Sequence, residues 1–270
     1  MIWLLPWEPR DDVRHRPWCT WTLIVLNVIA FFVMYAGLDD EIERWVLRYG
    51  LVSGDWHWWQ FLTANFMHGG WMHLIVNMLF LWVFGDDVED ALGRIGFLVV
   101  YFAGGFAGDL LYVVANDEMV PSIGASGCIS AVAGAYGVLF FNRQIGMKVM
   151  LLFAPVHTIH ARAFWAVLVF FGIDVALTVW HRGALLGGGG INYVAHGAGW
   201  MFGFAVAIAA RIYGVMHRYH RVGNGGGWWG YWPVDLEHRA RLAEVNKRKG
   251  EEGGGLLRRI SRRSQSHGPR

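Results

Sequence analysis

Six long apolar runs recur along the chain, at about positions 18–37, 69–85, 95–115, 126–141, 163–180 and 192–213. In hydrocarbon, backbone polar groups must be satisfied within their own segment, so runs of this kind fold as helices. Crossing a hydrocarbon core about 30 Å thick takes about 20 residues. Composition points the same way. Only 16% of the 270 residues are charged and 55% are hydrophobic, whereas soluble domains carry about a quarter charged residues. Mean hydropathy is +0.32. The expected fold class is all-α, a polytopic membrane protein built as a six-transmembrane-helix bundle. The second and fourth runs are short for a span. Short, Gly-interrupted spans survive where other helices or a water-filled cavity shield them.

The runs divide the chain into three parts: an N-terminal cytosolic segment (1–17), a membrane domain (18–213) with an outer interfacial loop (38–68), and a C-terminal tail (214–270). Arg10, Arg14 and Arg16 precede the first run, and Arg143, Lys148 and Arg162 lie between the fourth and fifth. Many more basic residues follow Arg211, against only Arg44, Arg48 and Arg182 on the opposite side. The positive-inside rule then puts both termini in the cytoplasm, which requires an even number of spans. The N-terminus shows no signal-peptide cleavage pattern and is expected to be retained. The Gly-rich, basic tail reads as largely disordered and held near anionic lipid by its charge. The aromatic, amphipathic loop at 38–68 reads as lying along the outer interface. Cys19 and Cys128 lie in or beside apolar runs and form no disulfide framework.

Polar groups then fall at one depth. The second, fourth and sixth runs all enter from the outer side, placing His73, Asn77, Ser126 and His196 in their outer halves. His73 and Asn77 are four apart and share a helix face. Ser126 is followed on its own face by Ser130, Gly134 and Gly137, and His196 by Gly199, Gly203 and Ala207. Faces so bare of bulky side chains let helices approach closely in lipid. Their approach would carry His196 toward Ser126. A serine hydroxyl is a weak nucleophile until a base takes its proton, and neutral imidazole is suited to that work. The start of a helix, where Ser126 lies, offers free N–H groups and a positive dipole end to a developing oxyanion. His73 and Asn77 could donate to the same oxygen.

The blocks "HGGWMHLIVN", "GASG" and "AHGAGWMFG", in this order and spacing, resemble the rhomboid intramembrane serine proteases over roughly residues 55–213. The resemblance implies a dyad of Ser126 as nucleophile and His196 as base, with no carboxylate member. It implies an oxyanion hole lined by His73, Asn77 and the Ser126 N–H. Gly124, Gly127, Gly199, Gly203 and His68 are implied as supporting residues. It further implies hydrolysis of peptide bonds in or near transmembrane helices of single-span or polytopic membrane proteins, without a cofactor or metal. The expected setting is a bilayer, a bacterial cytoplasmic membrane with the site toward the outer face, and no nucleic-acid partner. Two positions depart from the family pattern. Gln60 stands where some relatives have arginine, so the outer loop is expected to be anchored differently. Ser130 stands where some have an aromatic that stacks on the base, which leaves open what orients His196.

Other readings remain at this stage. Ser126 alone reads as a packing or capping residue, His196 as a satisfied interior histidine, and Asn77 as interhelical glue. His68, His73 and His196 could be imagined as a metal site. Asp109 and Asp174 are ionisable groups within spans, functional by default. They could hydrate a cavity, pair with a helix end, contact His196, or form the proton path of a small transporter. Gly104 and Gly108 form a GxxxG pair expected to pack helices. His157 and His160 read as solvated in a cytosolic loop, and the aromatic fifth run ("FWAVLVFF") as a mobile wall. A catalytically inactive rhomboid-like binder of transmembrane clients is the rival from another functional class.

Overall fold

A computed structural model of the chain describes residues 2–7, 16–36, 39–115, 121–151, 154–181 and 193–213. The tail expected at 214–270 lies outside the described residues. Helix α1 (Trp18–Tyr35) starts after Pro17, with no side-chain cap of its own. Its free N–H groups are met from another helix instead. Glu89 accepts from the backbone of Cys19 (3.0 Å) and Thr20 (2.8 Å) and from Thr20 Oγ1 (2.9 Å). A carboxylate at a helix N-terminus answers both orphan donors and dipole, which explains a buried glutamate beside an apolar bundle.

Helix α2 (Asp39–Tyr49) is short and amphipathic, and its last carbonyls are taken by the loop that follows. Gln60 Nε2 donates to Arg48 O (3.3 Å), Trp59 Nε1 to the same oxygen (3.4 Å), and Thr63 Oγ1 to Tyr49 O (2.7 Å). Gln60 also accepts from His57 N–H (2.8 Å) and is almost fully buried. This is how the loop is anchored with glutamine where some relatives carry arginine: the amide caps a helix end and the turn before it. Strand β2 (Leu51–Val52) follows α2, and the one-turn helix α3 (Gln60–Thr63) leads on toward the bundle.

Helix α4 (Trp71–Ala115) is one run of helix broken at Gly93, where φ is 73° and ψ 168°. A straight helix rises about 1.5 Å per residue, so its ends would lie far apart. Yet Asn65, just before its start, donates to Asp109 near its end at 2.9 Å. The helix therefore folds back on itself at Gly93 into two halves, a turn that left-handed backbone makes cheap only for glycine. Strand β3 (Pro121–Ser122) then pairs antiparallel with β2. Helix α5 (Ser126–Leu139) is buried at every position from Gly127 to Leu139. At about 21 Å it is shorter than a bilayer core, and the surrounding helices shield it. Arg211 Nη1 reaches its C-terminal end, donating to Val138 O at 2.7 Å.

Helices α6 (Ala163–His181) and α7 (Tyr193–Ile212) complete the bundle. Among the described residues, three helices, α1, α4 and α7, are long and apolar enough to cross a membrane, and two shorter apolar stretches lie in α5 and α6. Small residues set the contacts. A Cβ on Gly104 would overlap that of Ala131 on α5, and one on Gly108 would lie 2.7 Å from the Ala195 carbonyl on α7. The GxxxG pair thus seats two different helices.

The all-α expectation needs one correction. Strands β1 (Ile2–Trp7), β4 (Gln144–Leu151) and β5 (Ala154–Arg162) form an antiparallel sheet in the order β1-β4-β5. Ile145, Gly146 and Met147 on β4 are all buried, and Gln144, the first residue of the strand, is exposed. His157 and His160, read from sequence as loop residues, lie exposed on β5. Arg143, just before β4, pairs with Asp87 of α4 at 2.8 Å, joining sheet and bundle.

Candidate active site

Ser126 is the first residue of α5, and Ala125 before it holds the N-cap position without a side-chain hydrogen bond. The serine hydroxyl is thus not spent as a cap. Gly124 makes the turn into the helix with φ +127°, a conformation natural to glycine alone. Its missing side chain also matters. A Cβ there would stand 2.7 Å from His73 Nε2, 2.8 Å from His73 Cε1 and 3.8 Å from Ser126 Oγ. His73 and Ser126, from α4 and α5, therefore converge on one glycine.

The turn is held from the outer loop. Gly124 N–H donates to Ala64 O at 2.9 Å, and the β2–β3 pair fixes the two residues Pro121 and Ser122 just upstream. Gly69 N–H points at His73 Nδ1 at 3.4 Å, a long contact. With Nδ1 accepting, the imidazole proton is assigned to Nε2, the atom that faces Gly124. Asn77, one turn further along α4, is buried, and its Nδ2 has no hydrogen-bond partner among the described residues. A buried unspent donor costs about 1–3 kcal/mol, so an unpartnered amide inside the bundle calls for a reason.

His196 arrives on α7. The residue before it, Ala195, packs on the residue after the serine: a Cβ on Gly127 would lie 3.7 Å from Ala195 O and 3.9 Å from its Cβ. Further along the same seam, a Cβ on Gly199 would run into the Gly127 carbonyl, and one on Gly203 into the Ala131 carbonyl. A Cβ on Gly134 would come within 2.7 Å of Trp200 O. These glycines bring α5 and α7 to backbone contact, with Ser126 and His196 each one residue from the Gly127–Ala195 meeting point. Both side chains are half-buried. His196 is near enough to His73 for its charge to act there. Tyr193, three residues before His196, meets its ring edge-on at 6.0 Å, an aromatic neighbour from α7 itself rather than from the position of Ser130.

The family-level comparison settles which class of protein this is. The rhomboid domain model matches residues 55–212. The chain belongs to the rhomboid family. YdcA of Bacillus subtilis is 33% identical over 139 residues, covering 50% of this rhomboid and 70% of YdcA. Rhomboid protease GluP of the same organism is 31% identical over 149 residues, covering 51% of this chain and 29% of GluP. Rhomboid protease AarA of Providencia stuartii is 28% identical over 138 residues, covering 43% of this chain and 48% of AarA. The matched stretch thus spans less than half of GluP and of AarA. Family and apolar helices together make this rhomboid an integral membrane protein.

His68 lies at the edge of the site, fully buried, with its ring edge-on to His73 at 5.0 Å and, among the described residues, no hydrogen-bond partner for either ring nitrogen. Burial first, and then the neighbouring His73, push its imidazole down to about 3, with the Phe66 backbone opposing the shift; it is a neutral group. Among the described residues no three His, Cys, Asp or Glu side chains are arranged to hold a metal ion. Asp174 lies on α6, but its side chain is outside the described residues. Asp109 is buried and bonded to Asn65. Asn65 escaped the sequence reading because a single asparagine in an aromatic loop carries no periodic signal.

Proposed function

We propose that this rhomboid is an intramembrane serine endopeptidase acting on transmembrane helices of other membrane proteins. The observation that carries the reading is the convergence on the Gly124 turn: His73 Nε2 and Ser126 Oγ both lie against a glycine that no side chain could replace. In the reaction, neutral His196 takes the Ser126 proton as Oγ attacks the scissile carbonyl. The carbonyl oxygen gains the negative charge and accepts hydrogen bonds from the Ser126 N–H, His73 Nε2–H and Asn77 Nδ2–H. Collapse breaks the C–N bond, the leaving amine takes the proton from His196, and an acyl-enzyme remains on Oγ. Water, losing a proton to His196, then attacks the ester; the carboxylic acid departs and Ser126 regains its proton. The orphan donor of Asn77 is consistent with this role, since an oxyanion would give it a partner.

The two halves of α4 count as two spans, giving six with α1, α5, α6 and α7. Basic residues then put both termini in the cytoplasm and the dyad toward the outer face. Serine at α5 and histidine at α7 favour catalysis over client binding alone. The test compares Ser126→Ala and His196→Ala with wild type on a single-span substrate in proteoliposomes. Both variants should be inactive, and a serine-directed phosphonate probe should label wild type at Ser126. Wild-type cleavage by either variant overturns the assignment; a folded wild type that binds substrate but neither cleaves nor labels is a client-binding member.

A further inference from the structure

Ser126 is bracketed by two consecutive residues of the outer loop. Two positions before it, Gly124 N–H donates to the carbonyl of Ala64 at 2.9 Å. Two positions after it, the Cys128 thiol donates to Asn65 Oδ1 at 3.3 Å, within reach for a sulfur donor. Asn65 is buried, and its amide is fully committed: Nδ2 donates to Phe61 O at 2.8 Å and to Asp109 Oδ2 at 2.9 Å. With both donors and the oxygen engaged, the amide has one orientation. Asp109 is itself buried on the second half of α4. Its neighbour Gly108 seats the Ala195 carbonyl, one residue before His196. Gly105, one turn earlier, opens the space for the thiol: a Cβ there would overlap Cys128 Sγ and come within 3.3 Å of Asn65 Oδ1.

We propose that Asn65, held by Asp109, is a positioning residue that fixes the first turn of α5 so that Ser126 meets its base and its oxyanion donors. The chain of contacts runs from Asp109 through the Asn65 amide to the Cys128 thiol, and touches no reacting atom. Buried amide–carboxylate bonds are stiff because the alternative is an unpaired polar group in apolar surroundings. A first turn free to shift would misplace both the hydroxyl and the Ser126 N–H, and a displacement of about 1 Å can cost about 10²-fold in rate. The gain is in preorganisation, so it falls on kcat rather than on substrate binding.

This inference rests on the protease reading, and the experiment separates the two. Cleavage kinetics in proteoliposomes are measured for Asn65→Ala, Asn65→Asp, Asp109→Asn and the exchange N65D/D109N. The expected result is a fall in kcat of about 10²-fold for Asn65→Ala with KM little changed. Asp109→Asn should keep most activity, since its amide oxygen still accepts from Asn65. Asn65→Asp sets two carboxylates face to face and a carboxylate oxygen against the Phe61 carbonyl, and should be the most damaged; N65D/D109N removes the first conflict and should recover part of the loss. Independently of activity, the infrared S–H stretch of Cys128, read in a Cys19→Ser background, should move to higher frequency in Asn65→Ala and in Asp109→Ala. A moved band in a protein without protease activity sinks the protease reading and leaves the coupling standing. Wild-type kcat in a folded Asn65→Ala protein, absence of recovery in the exchange, or a band unmoved by either substitution overturns the proposal.

Discussion

Gly124 presents its bare α-carbon to the ring of His73: a Cβ at Gly124 would stand 2.7 Å from His73 Nε2. The glycine is required twice over, for its φ of +127° and for the space. Gly124→Ala should therefore lower both phosphonate labelling of Ser126 and substrate cleavage by about 10²-fold or more, the scale of losing an oxyanion donor. The added backbone strain is on the order of 1–3 kcal/mol. Comparing the labelling rate with the thermal midpoint checks whether the loss lies at the site; labelling at the wild-type rate would contradict it.

His73 and Asn77 are four residues apart on α4 and share a helix face, and the proposed mechanism gives both an oxyanion to bind. Asn77→Ala should reduce kcat about 10²–10³-fold with KM little changed. It should also leave stability unchanged or raised, because it removes a buried amide whose Nδ2 is unpartnered. A variant that is less stable but equally fast would make Asn77 interhelical glue.

The seam between α5 and α7 predicts a contrast between two glycines six residues apart on one helix. A Cβ at Gly203 would collide with the Ala131 carbonyl, whereas a Cβ at Gly197 meets nothing within 4 Å. Gly203→Ala should force the helices apart and abolish cleavage. Gly197→Ala should be tolerated and add up to about 1 kcal/mol from helix propensity. Unfolding in detergent and cleavage assays read both.

Glu89→Ala leaves the first turn of α1 without its acceptor, removing three hydrogen bonds to Cys19 and Thr20. A hydrogen bond to a charged group contributes about 1.5–3 kcal/mol, so the unfolding free energy should fall by at least about 2 kcal/mol. Glu89→Gln, which keeps an acceptor oxygen, should lose less. Equal loss in both variants would point to packing rather than capping.

His68 gives the protein a pH limit. Its imidazole is pushed down to about 3 in the fold against about 6.5 when unfolded. Above 6.5 both states are neutral and the histidine adds no pH dependence. As pH falls from 6.5 toward 3 the unfolded chain gains a proton that the fold refuses, so stability drops by up to about 1.4 kcal/mol per pH unit. His68→Leu should flatten that part of the stability–pH curve; an unchanged slope would show that other groups set it.

Apolar run length could be read along the chain, and helix period put His73 and Asn77 on one face of α4. The stripe of Gly199 and Gly203 was legible for the same reason: a missing side chain is visible in the sequence wherever helix phase is known. Strands β4 and β5 were not. Their alternation is short and mixed with charge, and β1, the partner of β4, lies more than a hundred residues away in the chain.

What the sequence determined alone was the helical membrane class and the set of chemically capable residues, since both follow from composition and local periodicity. Tertiary structure decided which of them share a turn. The placing of Ala64 and Asn65 on either side of Ser126, the capping of α1 by Glu89, and the anchoring of the outer loop by Gln60 all join residues distant in sequence. Such pairings arise from how the folded backbone closes, where each buried polar group must find whatever partner the packing brings within reach.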